Sequence, residues 1–286
     1  MSFELSFIVA TYRRDLELSK LLKSIKSIET KFSYEIIVID QDDSFKVKDL
    51  CQKFNAKYTY SKKIGLSISR NVGIKLSTGR FIALMDDDAI LPKNYFINLN
   101  KLILQNFSVF SGRIMTIENK TKSFSRYQGD RKLKVNYTNF DTILSTSLVF
   151  KKEIVNSVGF FDENFGVGAK YGASEETDFV LRILKENIEI FYYPSLIVLH
   201  PSEKLSKKSL NDIWTKSWNY SLGRGALIRK HKYLPFYIKI KNLVIIPVLK
   251  IVYGLVFLNY KIAISAISSL ISRNKAYIKY NNKIIL

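Results

Sequence analysis

Three consecutive aspartates, Asp86, Asp87 and Asp88, directly follow the apolar run Phe81–Met85. A short apolar run of this kind predicts a buried strand, which places the carboxylates at its carboxyl end. Open α/β sheets bind ligands at that end. Carboxylate oxygens suit Mg²⁺ or Mn²⁺, and these ions often lie between protein carboxylates and substrate phosphates. A polar turn is the alternative, but three adjacent like charges favour a metal or phosphate site.

Two other groups could supply the rest of a metal-dependent transfer reaction. Glu175, Glu176 and Asp178 stand at a predicted helix start, after the glycine-rich stretch 159–172. Acids in a first turn also stabilise the helix dipole, but one acid would be enough for that. His200 follows a strand-like run and is either a structural histidine or a metal or diphosphate ligand. Together the groups could provide a metal site, a general base and a means of holding a leaving phosphate.

The first half of the chain alternates strand and helix patterns, which predicts parallel βαβ units. The predicted strands are 6–10, 34–39, 56–60 and 80–85, and the predicted helices are 15–28, 45–54 and 66–76. Thr11 and Tyr12, then Asp40, then Asp86 follow successive apolar strands, so polar side chains should meet at one sheet edge. Arg70, in the third helix, is either a surface residue or a phosphate ligand.

The second half is less regular. It predicts helices at 92–105 and 175–185, strands at 107–114, 146–150, 188–193 and 196–199, and a polar, mobile loop at 116–140. From Ser209 onward the pattern is helical and basic.

The positive charge is concentrated in the last part of the chain. The net charge is +20, and residues 201–286 hold 16 lysines or arginines against two acids, the second of which is Asp212. Such a segment favours a polyanionic partner. It also contains the apolar stretch 243–258, which is shorter than a bilayer span and suits a helix in the membrane interface. So much aliphatic surface argues against nucleic acid; a helical cap with a solvated basic face is the alternative.

The chain has a single cysteine, Cys51, so no intrachain disulfide is expected, in keeping with a reducing compartment. Its first residues have no basic region or cleavage site of a signal peptide. We therefore expect the catalytic part to be cytoplasmic.

An ordered set of motifs resembles the inverting family 2 glycosyltransferases of the GT-A fold, of the type that builds polysaccharide or lipopolysaccharide. The resemblance covers residues 3–235. Its motifs are Phe7–Arg14, Val38–Asp40, Gly65–Gly73, Ala83–Asp88, Gly159–Glu163, Phe165–Gly172, Glu175–Asp178 and His200.

The resemblance implies a role for each matching residue. Asp86 and Asp88 would be the outer residues of a DxD motif and, with His200, would hold a divalent metal, Mn²⁺ or Mg²⁺. The residues implied in binding the nucleotide-sugar donor are Thr11, Tyr12, Arg14, Asp40, Arg70 and Asp87. The family's base is usually the aspartate of a Glu-Asp pair. Here that position holds Glu176, so the base remains open among Glu176, Glu175 and Asp178.

The resemblance also implies an α/β GT-A catalytic domain at 1–208, with a mixed, mostly parallel sheet and flanking helices. Within it, 1–115 would form the donor half and 116–208 the acceptor and base half; 209–286 would be a helical, membrane-associated region. The implied partners are a nucleotide-diphospho-sugar, with a UDP-sugar favoured, a glycan or lipid-linked acceptor, and an anionic membrane at the inner face of the cell membrane. The alternatives are a metal-dependent nucleotidyltransferase, which also uses aspartates and metal, and an inactive peripheral membrane scaffold.

Overall fold

The structure is a computed structural model that describes residues 3–44, 46–202 and 208–281. The chain divides into two compact units. The first contains residues 1–161 and 179–202, and the second contains 162–178 and 203–286. The boundary expected at residue 208 stays a prediction, but the glycine-rich segment groups with the C-terminal helices.

The first unit is built on an eight-stranded sheet. The strands are β1 (Leu5–Thr11), β2 (Tyr34–Asp40), β3 (Lys57–Tyr60), β4 (Phe81–Asp86), β5 (Val109–Thr116), β6 (Leu133–Lys134), β7 (Leu148–Lys151) and β8 (Ile190–His200). Their order is β3-β2-β1-β4-β7-β5-β8-β6. The pairs β1–β2, β1–β4, β2–β3 and β5–β8 are parallel, and the remaining pairs are antiparallel. The predicted mixed, mostly parallel α/β fold is confirmed.

The helices connect these strands and then continue to the end of the described chain. They are α1 (Asp15–Lys26), α2 (Lys46–Lys53), α3 (Leu66–Leu76), α4 (Tyr95–Leu104), α5 (Ile154–Val158), α6 (Glu175–Lys185), α7 (Leu210–Lys230), α8 (Phe236–Ile240), α9 (Ile246–Val256) and α10 (Tyr260–Lys279). A π-helical turn at Lys241–Ile245 joins α8 to α9. Phe45, where the second predicted helix begins, lies outside the described residues.

Helices cover both faces of the parallel part of the sheet. Successive strand residues point to opposite faces, and one face buries Phe7 and Val38 in a core with Leu21 and Tyr95. On the other face α3 packs closely through Gly73. A Cβ added at Gly73 would lie 2.4 Å from a methyl group of Ile8, so any larger residue would push the helix from the sheet.

Two predictions about the second half of the sheet need correction. The separate strands predicted at 188–193 and 196–199 are one strand, β8, whose register against β5 shifts between Gly112 and Arg113. The region 116–140 is largely irregular, as expected, but it also contains the short strand β6, and Gln128 fastens it by hydrogen bonds to Ile114 N, Gly112 O and Thr142 O.

The second unit holds its helices together through small residues. A Cβ at Gly225 of α7 would lie 2.1 Å from the carbonyl oxygen of Arg273 in α10, so only glycine fits this crossing. Likewise, a Cβ at Gly223 would lie 2.3 Å from the carbonyl oxygen of Ala173, just before α6. In the described parts of the chain, no helix has both the length and the apolar content needed to cross a bilayer.

A buried carboxylate links the strands at the amino edge of the sheet. Glu35 in β2 accepts hydrogen bonds from Ser6 Oγ at 2.6 Å, from Lys57 Nζ at 2.6 Å and from Thr78 N at 2.6 Å. Burial raises the pKa of Glu35, but these hydrogen bonds outweigh it and lower the pKa from 4.5 to about 2. The ionised form is therefore favoured in the folded protein.

Replacing Glu35 with glutamine should lower the free energy of unfolding by about 2–3 kcal/mol at pH 7, because charge-assisted hydrogen bonds are lost. The folded-state pKa lies below the ordinary value, so this stabilisation is complete above about pH 4.5 and is lost as the pH falls toward about 2. Urea unfolding at several pH values measures the difference, which should shrink across that window. Glu29→Gln, at an exposed position, is the control; an equal effect of both substitutions would contradict the assignment.

Candidate active site

Strand register brings the predicted polar residues to one edge of the first unit. Thr11 pairs with Asp40 across β1 and β2, and Ala10 pairs with Asp86 across β1 and β4. Directly after the aspartate triplet, Ile90 and Leu199 exchange backbone hydrogen bonds of 2.9 Å. This pairing places His200, at the end of β8, beside the triplet.

Asp87 is the most enclosed of the three aspartates. It accepts hydrogen bonds from Thr11 Oγ1 at 2.9 Å and from Arg14 Nη1 at 2.9 Å. Burial raises the pKa of Asp87 to about 6, although Arg14 and Thr11 act in the opposite direction. The middle aspartate thus ties the triplet to the loop after β1. Its predicted contact with the donor, like those of Thr11 and Arg14, stays a prediction.

Asp88 faces two cationic side chains. Its Oδ2 accepts a hydrogen bond of 2.8 Å from Arg14 Nη2, and its Oδ1 lies 3.0 Å from His200 Nε2. Burial raises the pKa of Asp88, but His200 and Arg14 outweigh it and lower the pKa below the ordinary value. Oδ1 is buried and, apart from its contact with the imidazole, has no hydrogen bond of good geometry among the described residues.

His200 is oriented so that one ring nitrogen faces the acids. Its Nδ1 lies 2.9 Å from the carbonyl oxygen of Pro201, which can only accept, so Nδ1 carries the proton. Nε2 then points to Asp88 and lies 3.7 Å from Asp86 Oδ2. Burial lowers the pKa of His200, but the neighbouring carboxylates outweigh it and raise the pKa above its ordinary value. The protonated ring is therefore favoured, and its Nε2 proton faces Asp88; only after loss of that proton would Nε2 present a lone pair to a cation.

Asp86 is held by an arginine from α3. Arg70 Nη2 lies 3.3 Å from Asp86 Oδ1, and the guanidinium lies 5.8 Å from the ring centroid of Phe161. The Arg70 side chain is only 3% exposed, so its observed effect is to orient Asp86. A direct bond from Arg70 to a donor phosphate stays a prediction. Asp86 N also donates to Thr146 Oγ1, which fixes the strand end.

The donor atoms at this edge are chemically suited to a divalent cation. Asp86 and Asp88 offer hard oxygens, and His200 Nε2 offers a borderline nitrogen, a combination that Mn²⁺ accepts. The buried Oδ1 of Asp88 is an atom that a cation would satisfy. Within residues 3–44, 46–202 and 208–281, however, no group of three or more acidic, histidine or cysteine side chains is already arranged as a complete metal site. A bound cation would need further ligands from substrate phosphates, which is how Mg²⁺ is commonly held.

Asp40 lies at the same edge but is fully buried. Its Oδ1 accepts a hydrogen bond from Asp42 N at 3.0 Å, and its Oδ2 lies 3.4 Å from Tyr58 Oη. Burial raises the pKa of Asp40 despite these contacts. Tyr12 is 38% exposed, with the Arg13 guanidinium 5.0 Å from its ring centroid. These features suit a nucleotide site, but the predicted contacts of Asp40 and Tyr12 with base and ribose remain predictions.

The segment after β5 places an aromatic ring on the histidine. Phe124 N donates to Ile114 O at 2.9 Å, and the rings of Phe124 and His200 meet edge-on with centroids 4.8 Å apart. Nothing in the local pattern singles out Phe124, because the polar residues around it predict only a loop.

The three acids of α6 differ in their surroundings within the second unit. Asp178 is fully buried, and its Oδ1 lies 2.7 Å from Lys230 Nζ and 2.8 Å from His231 Nε2. Glu175 is 5% exposed, whereas Glu176 is partly exposed. Glu176 is therefore the most accessible of the three candidate bases.

Lys230 also extends the ion-pair network to the glycine-rich segment. Its Nζ lies 2.7 Å from Asp162 Oδ2. Burial raises the pKa of Asp162, but Lys230 outweighs it and lowers the pKa. Sequence reasoning missed Lys230 and His231 because they lie at the far end of α7, with no local motif to mark them.

The comparison with known families agrees with the fold. The chain belongs to glycosyl transferase family 2, whose family model matches residues 6–161, more than half of the sequence. It is therefore a glycosyltransferase with the GT-A fold, and the predicted family and fold are confirmed.

Relatives include a teichoic acid biosynthesis protein and a glucosyltransferase whose name contains an undecaprenol-linked glycan. The chain is 23% identical over 236 residues to glycosyltransferase GlyA of Streptococcus pneumoniae, covering 77% of this chain and 33% of GlyA. It is 23% identical over 214 residues to the minor teichoic acid biosynthesis protein GgaB of Bacillus subtilis, covering 65% of this chain and 23% of GgaB. It is 27% identical over 175 residues to the Campylobacter jejuni GalNAc(5)-diNAcBac-PP-undecaprenol beta-1,3-glucosyltransferase, covering 57% of this chain and 56% of that enzyme. The chain thus spans less than two thirds of the length of these relatives.

Among solved structures, S. aureus TarS 1–349 shares the fold with a TM-score of 0.60. At 14% identity, the match covers 97% of this chain and 91% of the TarS fragment. The same fragment in complex with UDP-GlcNAc matches with a TM-score of 0.59.

Proposed function

We propose that this glycosyltransferase moves a sugar, with inversion, from a nucleotide-diphospho-sugar to a hydroxyl of a glycan or lipid-linked acceptor. A UDP-sugar is the favoured donor. The observation that carries the proposal is the pairing of the buried Asp88 Oδ1 with His200 Nε2 at 3.0 Å, beside Asp86, at the carboxyl edge of the sheet. The proposal is supported by the structure of TarS in complex with UDP-GlcNAc. It is also supported by the names of GgaB, which refers to teichoic acid, and of the Campylobacter enzyme, which refers to an undecaprenol-linked glycan.

Asp86, Asp88 and His200 would hold a divalent cation, which neutralises charge on the diphosphate when bound. Arg70 keeps Asp86 in place, and Arg14 keeps Asp87 and Asp88 in place. Both arginines limit the repulsion among the aspartates before substrate binds. Their positive charge also favours the phosphate that leaves as a nucleoside diphosphate.

Glu176 would remove the proton from the acceptor hydroxyl, whose oxygen then attacks the anomeric carbon from the face opposite the leaving group. This assignment is supported by its exposure and by its place in the family motif. Asp178 has its Oδ1 bound to Lys230 and His231, which suits a positioning role at the start of α6.

The same proposal places the second unit at an anionic membrane surface. Leu249, Val252 and Val256 lie three and four residues apart along α9, so they share one helix face, and each is at least half exposed. No acidic residue follows Asp212 in the sequence. Apolar side chains can enter the acyl boundary while nearby lysines meet anionic headgroups, at about 1 kcal/mol for each lysine. A lipid-linked acceptor would lie at such a surface.

Asp88→Asn should weaken Mn²⁺-dependent binding of UDP at least tenfold, because a cation ligand loses its charge. Thermal-shift titration of UDP with and without Mn²⁺ measures this without requiring turnover. A tenfold weaker Kd removes about 1.4 kcal/mol of ligand stabilisation. Asp43→Asn, at an exposed position outside the triplet, should bind like the unaltered protein. Unchanged Mn²⁺ dependence in Asp88→Asn would reject the metal assignment.

Glu176→Gln should retain UDP binding but lower kcat by roughly 10²–10⁴, because the amide cannot accept the hydroxyl proton. Asp178→Asn should instead lower the melting temperature, since Lys230 and His231 lose a buried partner, at a cost of about 3–5 kcal/mol. Transfer assays combined with melting curves separate the two effects. An active Glu176→Gln together with a stably folded, inactive Glu175→Gln or Asp178→Asn would move the base to that residue.

The Leu249→Asp/Val256→Asp double variant should release the protein from vesicles of phosphatidylglycerol and phosphatidylcholine. Co-sedimentation at low and high salt measures binding, which should fall with salt in the unaltered protein. Ile97→Asp/Leu104→Asp introduces the same charges at exposed apolar positions of α4 and serves as the matched control. Equal retention of both double variants on the vesicles would refute docking through α9.

A further inference from the structure

The second unit contains a groove that none of the roles above uses. It is an open groove of about 760 Å³ between the glycine-rich loop 166–172 and the first half of α7. Its polar lining includes Lys170, Lys208, Asp212, Thr215, Lys216 and Asn219. This volume lies within the range of ligand sites in proteins.

One wall of the groove is the glycine-rich loop, whose shape is fixed by hydrogen bonds within its own backbone. Gly166 N donates to Tyr171 O at 2.9 Å, and Tyr171 N donates to Asn164 O at 2.9 Å. Gly166 and Gly168 have φ angles of 102° and 84°, in the left-handed region that favours glycine. The loop therefore has one tight, defined shape.

The helical wall is fixed to this loop by close packing. A Cβ at Gly172 would lie 3.2 Å from Asn219 of α7, one turn before the contact of Gly223 with Ala173. The loop then runs into Glu175, three residues after Gly172. A ligand in the groove would thus bind a wall that leads directly to the acidic start of α6.

The charge of the groove is positive. Three lysines line it, against one acid, Asp212. Asp212 is already bonded at the start of α7, because Ser209 Oγ donates to its Oδ2 at 2.6 Å. Lys216 Nζ lies 5.2 Å from the ring centroid of Tyr220, and Lys170 Nζ lies 5.4 Å from that of Tyr171. Both ammonium groups therefore make cation–π contacts.

We propose that this groove binds a phosphate group of the acceptor, either a phosphodiester or a diphosphate. Ammonium groups bind phosphate as point charges, and the amide of Asn219 and the hydroxyl of Thr215 can bond the neighbouring sugar or polyol. The inference rests on the proposed function: the bound phosphate would guide an acceptor hydroxyl toward Glu175 and Glu176 at the start of α6. The proposal requires the acceptor to carry a negative charge, whereas binding of the sugar donor places no such requirement on the acceptor.

The chain's own tryptophans provide a direct test. Trp214 and Trp218 are its two tryptophans, and in α7 they directly precede the groove residues Thr215 and Asn219. Their fluorescence can be followed during titration with three probes: a soluble glycerol phosphate oligomer, a short-chain isoprenyl diphosphate and a neutral oligosaccharide of similar length. We expect one or both anionic probes to bind with a salt-dependent Kd and the neutral probe to bind at least tenfold more weakly. The anionic probe with the lower Kd shows whether the groove prefers the phosphodiester of a polymer or the diphosphate of a lipid-linked acceptor.

Variants connect that binding to the groove. Lys170→Gln/Lys216→Gln should weaken the anionic probe about tenfold, and Lys170→Arg/Lys216→Arg should restore it by restoring charge. Lys48→Gln/Lys53→Gln removes two exposed lysines of α2 and should have no effect. Equal binding by the two glutamine double variants, or equal binding of the neutral probe, would overturn the proposal. UDP binding, measured in parallel, is expected to be unchanged in every variant; its absence in the unaltered protein would count against the proposed function instead.

Discussion

The register of the parallel strands is the constraint on which the polar, carboxyl edge of the sheet depends. Since β1, β2 and β4 run in the same direction and end together, three polar strand ends converge without any long loop to position them. A slip of one residue in β4 would turn Asp86 to the opposite face. The side chains of these strands are buried on both faces of the sheet, and their packing fixes the register. The position of the acids therefore follows from apolar packing at some distance from them.

The pairing of Ile90 with Leu199 adds the second part of the edge. It joins the chain directly after the aspartate triplet to the end of a strand more than a hundred residues later. Without it, three carboxylates would stand together with only the arginines to offset their repulsion. With it, a protonated His200, whose Nδ1 faces the carbonyl oxygen of Pro201, stands against Asp88. The arrangement keeps the charges balanced before any ligand arrives, which lowers the cost of holding them in a partly buried place.

Local patterns predicted the first half of the fold well because each strand and helix of a βαβ unit has a hydrophobic pattern that is visible within a short stretch of sequence. The helix at Leu66–Leu76 and the aspartates after β4 lay where the sequence indicated. The division of β8 was wrong because a bulge interrupts its alternation without ending the strand. The partners of Asp178 could not be foreseen for a different reason. Lys230 and His231 meet Asp178 only after α7 has folded back, and single-sequence patterns carry no signal for such a pairing.

The close contact of Gly223 with Ala173 has a mechanical consequence. The backbone of α7 packs directly against the chain that enters α6, so any side chain at Gly223 would clash with Ala173 and push the two segments apart. Lys230 reinforces this joint from the end of the same helix. The start of α6 and helix α7 are accordingly expected to move together. A displacement of α7 would therefore be passed directly to Glu175 and Glu176 at the start of α6.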